Sequence, residues 1–191
     1  MKKLFLASLL FSALNFAQAI TLTSNSILTG GNAYEYLVSL TAGQNITSAT
    51  LTFNNVKLTA TGWNTFSYDI INRQDASAAI SADADGQGDY FTSHSPYSTT
   101  AYQLGSKTFV LNEVWNFTYT FTGAALTKLN TYAADGYLDF GFDPDCTYTV
   151  GSIAFNYQST PTSAPDAVTT FGLLGMNLLG LFAIRRKLCT N

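Results

Sequence analysis

The chain has 191 residues, of which 47% are hydrophobic and only 11% are charged, whereas an ordinary soluble domain carries about 25% charged residues. This length suits one domain with terminal extensions. Between residues 20 and 165 the chain has four cations and eleven acids, a net charge of −7. That balance argues against nucleic acid as a partner, because affinity for phosphates comes mostly from lysine and arginine.

The N-terminus, residues 1–19, has the pattern of a secretory signal helix. Lys2 and Lys3 precede an apolar run that is too short to span a bilayer, which takes roughly 20 residues. Ala17-Gln18-Ala19 then forms an A-x-A-like cleavage site. We therefore expect cleavage after Ala19, with an uncleaved membrane anchor as the alternative.

Residues 20–158 predict an all-β fold, an antiparallel β-sandwich of the jelly-roll type. Large apolar residues alternate with smaller or polar ones in six stretches, which indicates sheets with one face in a core and one face in water. The stretches are NAYEYLVSL, ATLTFNNVKL, TFSYDI, VWNFTYTFTG, GYLDFGFD and SIAFNY. In the second stretch the pair Asn54-Asn55 shifts the phase, which predicts a bulge or a turn.

One segment, GAALTKLNTYAADG, has helical spacing instead. Leu126, Leu129 and Ala133 recur on one face, so we predict one short helix that ends at Gly136. Residues 73–103 contain few apolar side chains and predict a loop. We expect the lone thiol of the domain, Cys146, to be buried, as free cysteines usually are, with an intermolecular bond as the alternative.

The stretch SADADGQGDYFT, within that loop, is a candidate calcium site. Asp83, Asp85 and Asp89 surround Gly86 with the spacing of an EF-hand loop, although the acids expected at its first and last positions are missing. The alternative is a solvated acidic turn. No other cofactor is expected. A second acidic group consists of Asp139, Asp143 and Asp145. Its preferred interpretation is a turn that ends a strand, and a metal site is the alternative.

The sequence offers little for catalysis. The only histidine, His94, lies in a polar stretch, and no G-x-S-x-G motif accompanies it. The two glutamates, Glu35 and Glu113, lie in strand-like contexts, and nothing marks them as the carboxylate pair of a glycosidase. We therefore expect no enzymatic activity.

The C-terminal region has three parts. Residues 159–167 contain two prolines and predict an extended, exposed linker. Residues 168–184 carry no charge and predict a transmembrane helix of about 25 Å, short of a ~30 Å hydrocarbon core. Residues 185–191 begin with Arg185-Arg186-Lys187, which places the domain outside and the C-terminus in the cytoplasm. A permanent tail anchor is the alternative to a processed one.

Three parts of this tail, in order, resemble the sorting signals of PEP-CTERM proteins: Pro165-Asp166, a Gly- and Leu-rich apolar run, and Arg185-Arg186-Lys187. The most similar variant opens Val-Pro-Asp-Ser-Gly, from which Ala164 and Ala167-Val168 depart. The resemblance implies recognition by an exosortase, an integral-membrane enzyme with a cysteine nucleophile. It also implies that the tail is removed near Pro165-Asp166 and that the domain is released from, or attached to, a bacterial surface.

A second resemblance lies in FTGAALTKLNTYAADGYLDFGFDPDC, which is similar to a segment of PEP-CTERM ectodomains. In those proteins a short helix leads into a strand that ends Asp-Pro-Asp-Cys, and a histidine often follows. Thr147 stands at that position here, so no role of that histidine is inherited. The segment implies a β-sandwich without established catalysis.

These features predict a secreted, exosortase-sorted protein of the cell surface or extracellular matrix, with a structural or adhesive role. The expected partners are the exosortase, extracellular polysaccharide and, before processing, the membrane that holds the C-terminal helix. The alternative function is a carbohydrate-binding module, stabilised by calcium. Its candidate aromatic faces are YDIINRQ and SPYSTTAY, although aromatics at this spacing more often belong to a core.

Overall fold

The computed structural model describes residues 16–72, 79–80 and 88–162, which form nine strands, two α-helices and two 3-10 turns. The strands are β1 (Phe16–Leu28), β2 (Ala33–Ser39), β3 (Gln44–Leu58), β4 (Thr65–Ile71), β5 (Ala79–Ile80), β6 (Ala101–Thr108), β7 (Val114–Thr120), β8 (Tyr137–Pro144) and β9 (Tyr148–Pro161). The helices are α1 (Tyr90–Ser93) and α2 (Gly123–Tyr132), and the 3-10 turns are Tyr97–Thr99 and Ala133–Asp135. The chain divides into two units after Thr160, and all these elements except the last residue of β9 belong to the first.

The strands form two antiparallel sheets. The four-stranded sheet has the order β1-β9-β3-β7, and the five-stranded sheet has the order β5-β2-β8-β4-β6. The predicted all-β architecture of two antiparallel sheets with a short helix is therefore confirmed. No helix in the described part of the chain is long and apolar enough to cross a membrane. The predicted transmembrane helix at 168–184 and most of the predicted signal helix lie outside the described residues.

The strand pairs are nested along the chain. β1 pairs with β9, β2 with β8, β3 with β7 and β4 with β6. The first half of the sandwich therefore pairs with the second half in reverse order, as in one long ribbon folded at its middle. The segment between β4 and β6 joins the two halves.

Aromatic rings from both sheets form the core. Phe53 in β3 stacks on Phe117 in β7 at 4.2 Å between ring centroids, and it meets Phe66 and Phe142 of the other sheet at 6.0 and 5.8 Å. Edge and stacked contacts of this kind stabilise a core beyond the area that they bury. The alternation in the sequence correctly predicted the core-facing residues of these strands.

The local irregularities also follow the sequence. The β3–β7 register shifts between Phe53 and Val56, and Asn55 has a φ of 51°, so the predicted change of phase is a bulge. Helix α2 buries Leu129, and Gly136 ends the helical segment with a φ of 94°. Cys146 is buried, as expected.

The expectation that the second face of each strand meets water is wrong for β4 and β8. All but the first residue of each strand is buried, so both faces of these two strands are covered. The cover comes from the region that predicted a loop, where the structure has the single-turn helix α1, a 3-10 turn and the start of β6. Helix α1 was not predicted, because one turn is too short to show a helical period.

Candidate functional site

A row of acidic residues crosses the outer face of the five-stranded sheet. Glu35 in β2 and Asp69 in β4 both lie directly opposite Gly141 in the central strand β8. Directly opposed residues in a sheet lie about 5 Å apart, so Gly141 leaves a gap between the two carboxyl groups. These three positions form the centre of the site.

Two further carboxyl groups flank this row. Asp139 and Asp143 lie two residues before and after Gly141 in β8 and therefore on the same face. Asp69, Asp139 and Asp143 have no exposed surface, and Glu35 is 5% exposed. We call Glu35, Asp69, Asp139 and Asp143 the acidic layer.

The residues 88–100, which we call the cover, exclude water from the acidic layer. Phe91 of α1 fills the gap above Gly141, where an added methyl group would lie 2.7 Å from the Phe91 ring. Phe91 also packs with Ala33, Ile71 and Tyr97 in a small apolar cluster separate from the main core. The missing side chain at Gly141 is what allows the ring to come so close.

Polar contacts fasten the cover to the acidic layer. The Tyr90 backbone amide donates to Asp143 Oδ2 at 2.8 Å, and the Tyr97 hydroxyl donates to Glu35 Oε2 at 3.2 Å. The other Glu35 oxygen, Oε1, has no hydrogen-bond partner among the described residues. Buried carboxylates need such donors because the loss of hydration is costly.

Asp89 connects the cover to Asp69. Its side chain caps α1, where Oδ1 accepts from the Phe91 amide at 3.1 Å and Oδ2 accepts from the Thr92 hydroxyl at 2.9 Å. The Asp69 oxygens have no donor among the described residues. Burial, the adjacent Asp89 carboxylate and then Asp143 raise the pKa of Asp69 well above its usual value. A protonated Asp69 can donate a hydrogen bond to Asp89, which relieves the repulsion between them.

The structure describes only one residue of the predicted metal site. Asp83 and Asp85 lie outside the described residues, whereas Asp89 lies beside Asp69 as described above. Within residues 16–72, 79–80 and 88–162, no three His, Cys, Asp or Glu side chains are grouped so that they could hold a metal ion. Of the second acidic group, Asp139 and Asp143 belong to the acidic layer and Asp145 follows the end of β8.

Of the remaining candidate residues, Glu35 belongs to the acidic layer and His94 to the cover, whereas Glu113, Ala17 and Ala19 lie elsewhere. The His94 ring stacks on Tyr90 at 4.5 Å, and its Nδ1 lies 2.9 Å from the Ser93 hydroxyl. Glu113 is exposed between β6 and β7, whereas Glu35 is buried in the acidic layer. Ala17 and Ala19 are exposed in β1, opposite Gln158 and Asn156.

The sorting residues Pro165, Asp166, Arg185, Arg186 and Lys187 lie outside the described residues.

Comparison with known proteins does not assign the chain to a family. No protein-family model matches the chain, and a search of the curated proteins returns no relative.

Sequence reasoning missed the acidic layer as a unit. Glu35, Asp69 and Asp139 alternate with aromatic or aliphatic residues, so the pattern assigns them to a water-facing side. The available signal was Gly141, a glycine inside a strand between two aspartates of the same face. Such a glycine often marks close approach of another part of the chain.

We expect Gly141→Ala to destabilise the domain by about 1–3 kcal/mol, because the new methyl group overlaps the Phe91 ring. Urea unfolding measures this cost. In a Phe91→Ala background the methyl group meets no ring, so the same substitution should cost less. An equal cost in both backgrounds would contradict packing of the cover on Gly141.

We expect Asp69→Asn to remove a pH dependence of stability. An acid with a raised pKa in the folded state makes the protein less stable as pH rises from its ordinary value of 3.8 toward the raised value, by at most about 1.4 kcal/mol per pH unit. Unfolding between about pH 4 and pH 8 with a chelator present should show this slope in the wild type and in the control Glu113→Gln, and not in Asp69→Asn. Equal slopes in all three proteins would refute the assignment.

Proposed function

We propose that this protein is secreted, sorted by an exosortase and displayed on, or released from, a bacterial surface. The observation that carries the proposal is the order of the C-terminal parts, Pro165-Asp166, the uncharged residues 168–184 and Arg185-Arg186-Lys187. The signal pattern at residues 1–19 supports the same route. The apolar segment is short for a lasting anchor, which suits a substrate that is held only until it is cut.

The role that we propose for the delivered domain is structural or adhesive, and we propose a jelly roll as its fold. The nested pairs β1–β9, β2–β8, β3–β7 and β4–β6 support the jelly roll, because a folded ribbon rolled into two sheets gives this order. Both sheets contribute side chains to one closely packed aromatic core. Such a core makes a domain rigid, which supports a structural role.

Carbohydrate binding is the alternative function. Jelly rolls occur among lectin domains, which is an analogy of fold alone. Tyr68 in the candidate stretch YDIINRQ and Tyr97 in the candidate stretch SPYSTTAY are both buried, with exposed fractions of 8% and 6%. Tyr102 at the end of the second stretch is half-buried, so a sugar would have to contact Tyr102 or aromatic side chains elsewhere.

Calcium binding at Asp83, Asp85 and Asp89 is a second proposal. Its support from the described residues is the position of Asp89, which caps α1 and faces the buried Asp69. A divalent cation there would offset the repulsion between closely placed carboxylates. It would also fix the cover on the sheet.

The sorting proposal predicts the mass of the protein recovered outside the cell. We expect a species that starts at Ile20 and ends near Pro165, with or without an added glycan, in intact-mass analysis of the extracellular fraction. A species that retains Arg185-Arg186-Lys187 would make the tail a lasting anchor and would end the exosortase proposal.

The calcium proposal predicts that calcium raises the melting temperature by about 5 °C or more at saturation and that a chelator reverses this. Asp89→Asn should abolish the shift, because it removes a ligand charge. The control Asp135→Asn, at an exposed acid in the turn after α2, should keep it. A wild-type midpoint that does not change with calcium would rule out the site.

A further inference from the structure

Four of the six large hydrophobic side chains that are exposed in the described residues lie in two adjacent loops or at the start of the strand that follows the second loop. Trp63 precedes β4 and is 58% exposed, Val110 and Leu111 follow β6, and Val114 begins β7. We call these four residues the tip surface. Single exposed apolar residues are ordinary, whereas a group of them in neighbouring loops marks a binding surface.

Hydrogen bonds hold the two loops side by side. The Phe109 amide donates to the Asn64 carbonyl and the Asn64 side chain donates to the Phe109 carbonyl, both at 2.9 Å. These bonds continue the β4–β6 ladder, in which Thr65 lies opposite Thr108. Trp63 and Val110 are therefore the next positions outward from the Asn64–Phe109 pair.

A third strand fixes the second loop. The Asn112 amide donates to the Leu58 carbonyl of β3 at 3.0 Å, and the Glu113 amide closes the turn onto the Val110 carbonyl at 3.2 Å. The tip surface is thus presented by backbone that is already ordered. A preformed surface loses little conformational entropy when it binds a ligand.

The tip surface lies at one end of the sandwich. The Thr59 amide donates to the Thr147 carbonyl just before β9 begins, so the loops lie beside the start of that strand. β9 then runs for 14 residues, about 40 Å at the usual rise. Thr160, the last residue of the first unit, therefore lies at the opposite end of this strand from the tip surface.

We infer that the tip surface binds a neutral polysaccharide, with the Trp63 ring stacked on the face of a sugar unit. The flat face of a pyranose presents C–H groups that pack on an aromatic ring, while its hydroxyls need polar partners at the edge. Asn112 and Glu113 are exposed beside the apolar residues and supply such partners. Val110 and Leu111 extend the apolar contact to the next sugar unit.

Two other occupants fit the surface less well. The exposed area of four side chains is smaller than the ~800 Å² that each partner buries in a stable protein interface. This difference argues against a second copy of this chain as the occupant. The net charge of −7 between residues 20 and 165, together with Glu113 in the turn, disfavours an anionic polymer or an anionic lipid surface. An uncharged polymer meets neither obstacle.

This inference rests on the carbohydrate-binding alternative and is independent of the sorting route, so the two can fail separately. The experiment is native affinity electrophoresis of the protein recovered from cells that express the full chain. The probes are hydroxyethyl cellulose, dextran, galactomannan, the neutral polysaccharide fraction of the producing culture, and alginate as the anionic polymer. The variants are Trp63→Ala and, as a matched exposed aromatic in β8, Tyr137→Ala.

We expect at least one neutral polymer to retard the wild type and Tyr137→Ala equally, and Trp63→Ala to bind it at least about tenfold more weakly with an unchanged melting temperature. Retardation that survives Trp63→Ala would overturn the inference. So would the absence of retardation by any neutral polymer, or retardation by alginate alone. Concentration-dependent self-association that Trp63→Ala removes would also overturn it and would assign the surface to a second copy.

Discussion

The central strands β4 and β8 are covered on both faces, and the most unusual features of the domain depend on this constraint. Their inner faces pack Phe66 and Phe142 into the aromatic core. Their outer faces carry carboxyl groups that would ordinarily meet water. Once the cover removes that water, each carboxyl group needs a donor, a proton or a cation. The Tyr90 amide meets this need at Asp143, whereas at Asp69 burial and the neighbouring carboxylates raise the pKa, which favours the protonated form.

The core-facing residues, the bulge in β3 and the end of the helical segment could be predicted from the sequence, because each depends on residues close together in the chain. Alternation in VWNFTYTFTG assigns Phe117 and Tyr119 to one side whatever lies above them. The pair Asn54-Asn55 interrupts a strand by its own backbone preferences, and Asn55 indeed has a positive φ. Gly136 stops a helix for the same kind of reason, since its φ of 94° suits a residue without a side chain.

The burial of the outer face could not be predicted, because the residues that cover this face are distant in the sequence. Alternation shows that the two faces of β8 differ in chemistry, but not what lies over the polar one. The covering ring belongs to Phe91, fifty residues before the glycine that it contacts, in a stretch whose polar composition predicts an exposed loop. The stretch is brought back over the sheet by pairing at both edges, of β5 with β2 and of β6 with β4.

The nested pairing also separates the two regions with distinct chemistry. The cover, residues 88–100, closes over a sheet face, where Phe91 and Tyr97 contribute to folding because they are buried. The tip surface lies in the loops at an end of the sandwich, where Trp63 and Val114 leave more than half of their surface in water and contribute little to folding. Backbone hydrogen bonds, rather than these side chains, set the shape of the loops. Side chains at the tip can therefore be substituted while the acidic layer and the core keep the fold unchanged.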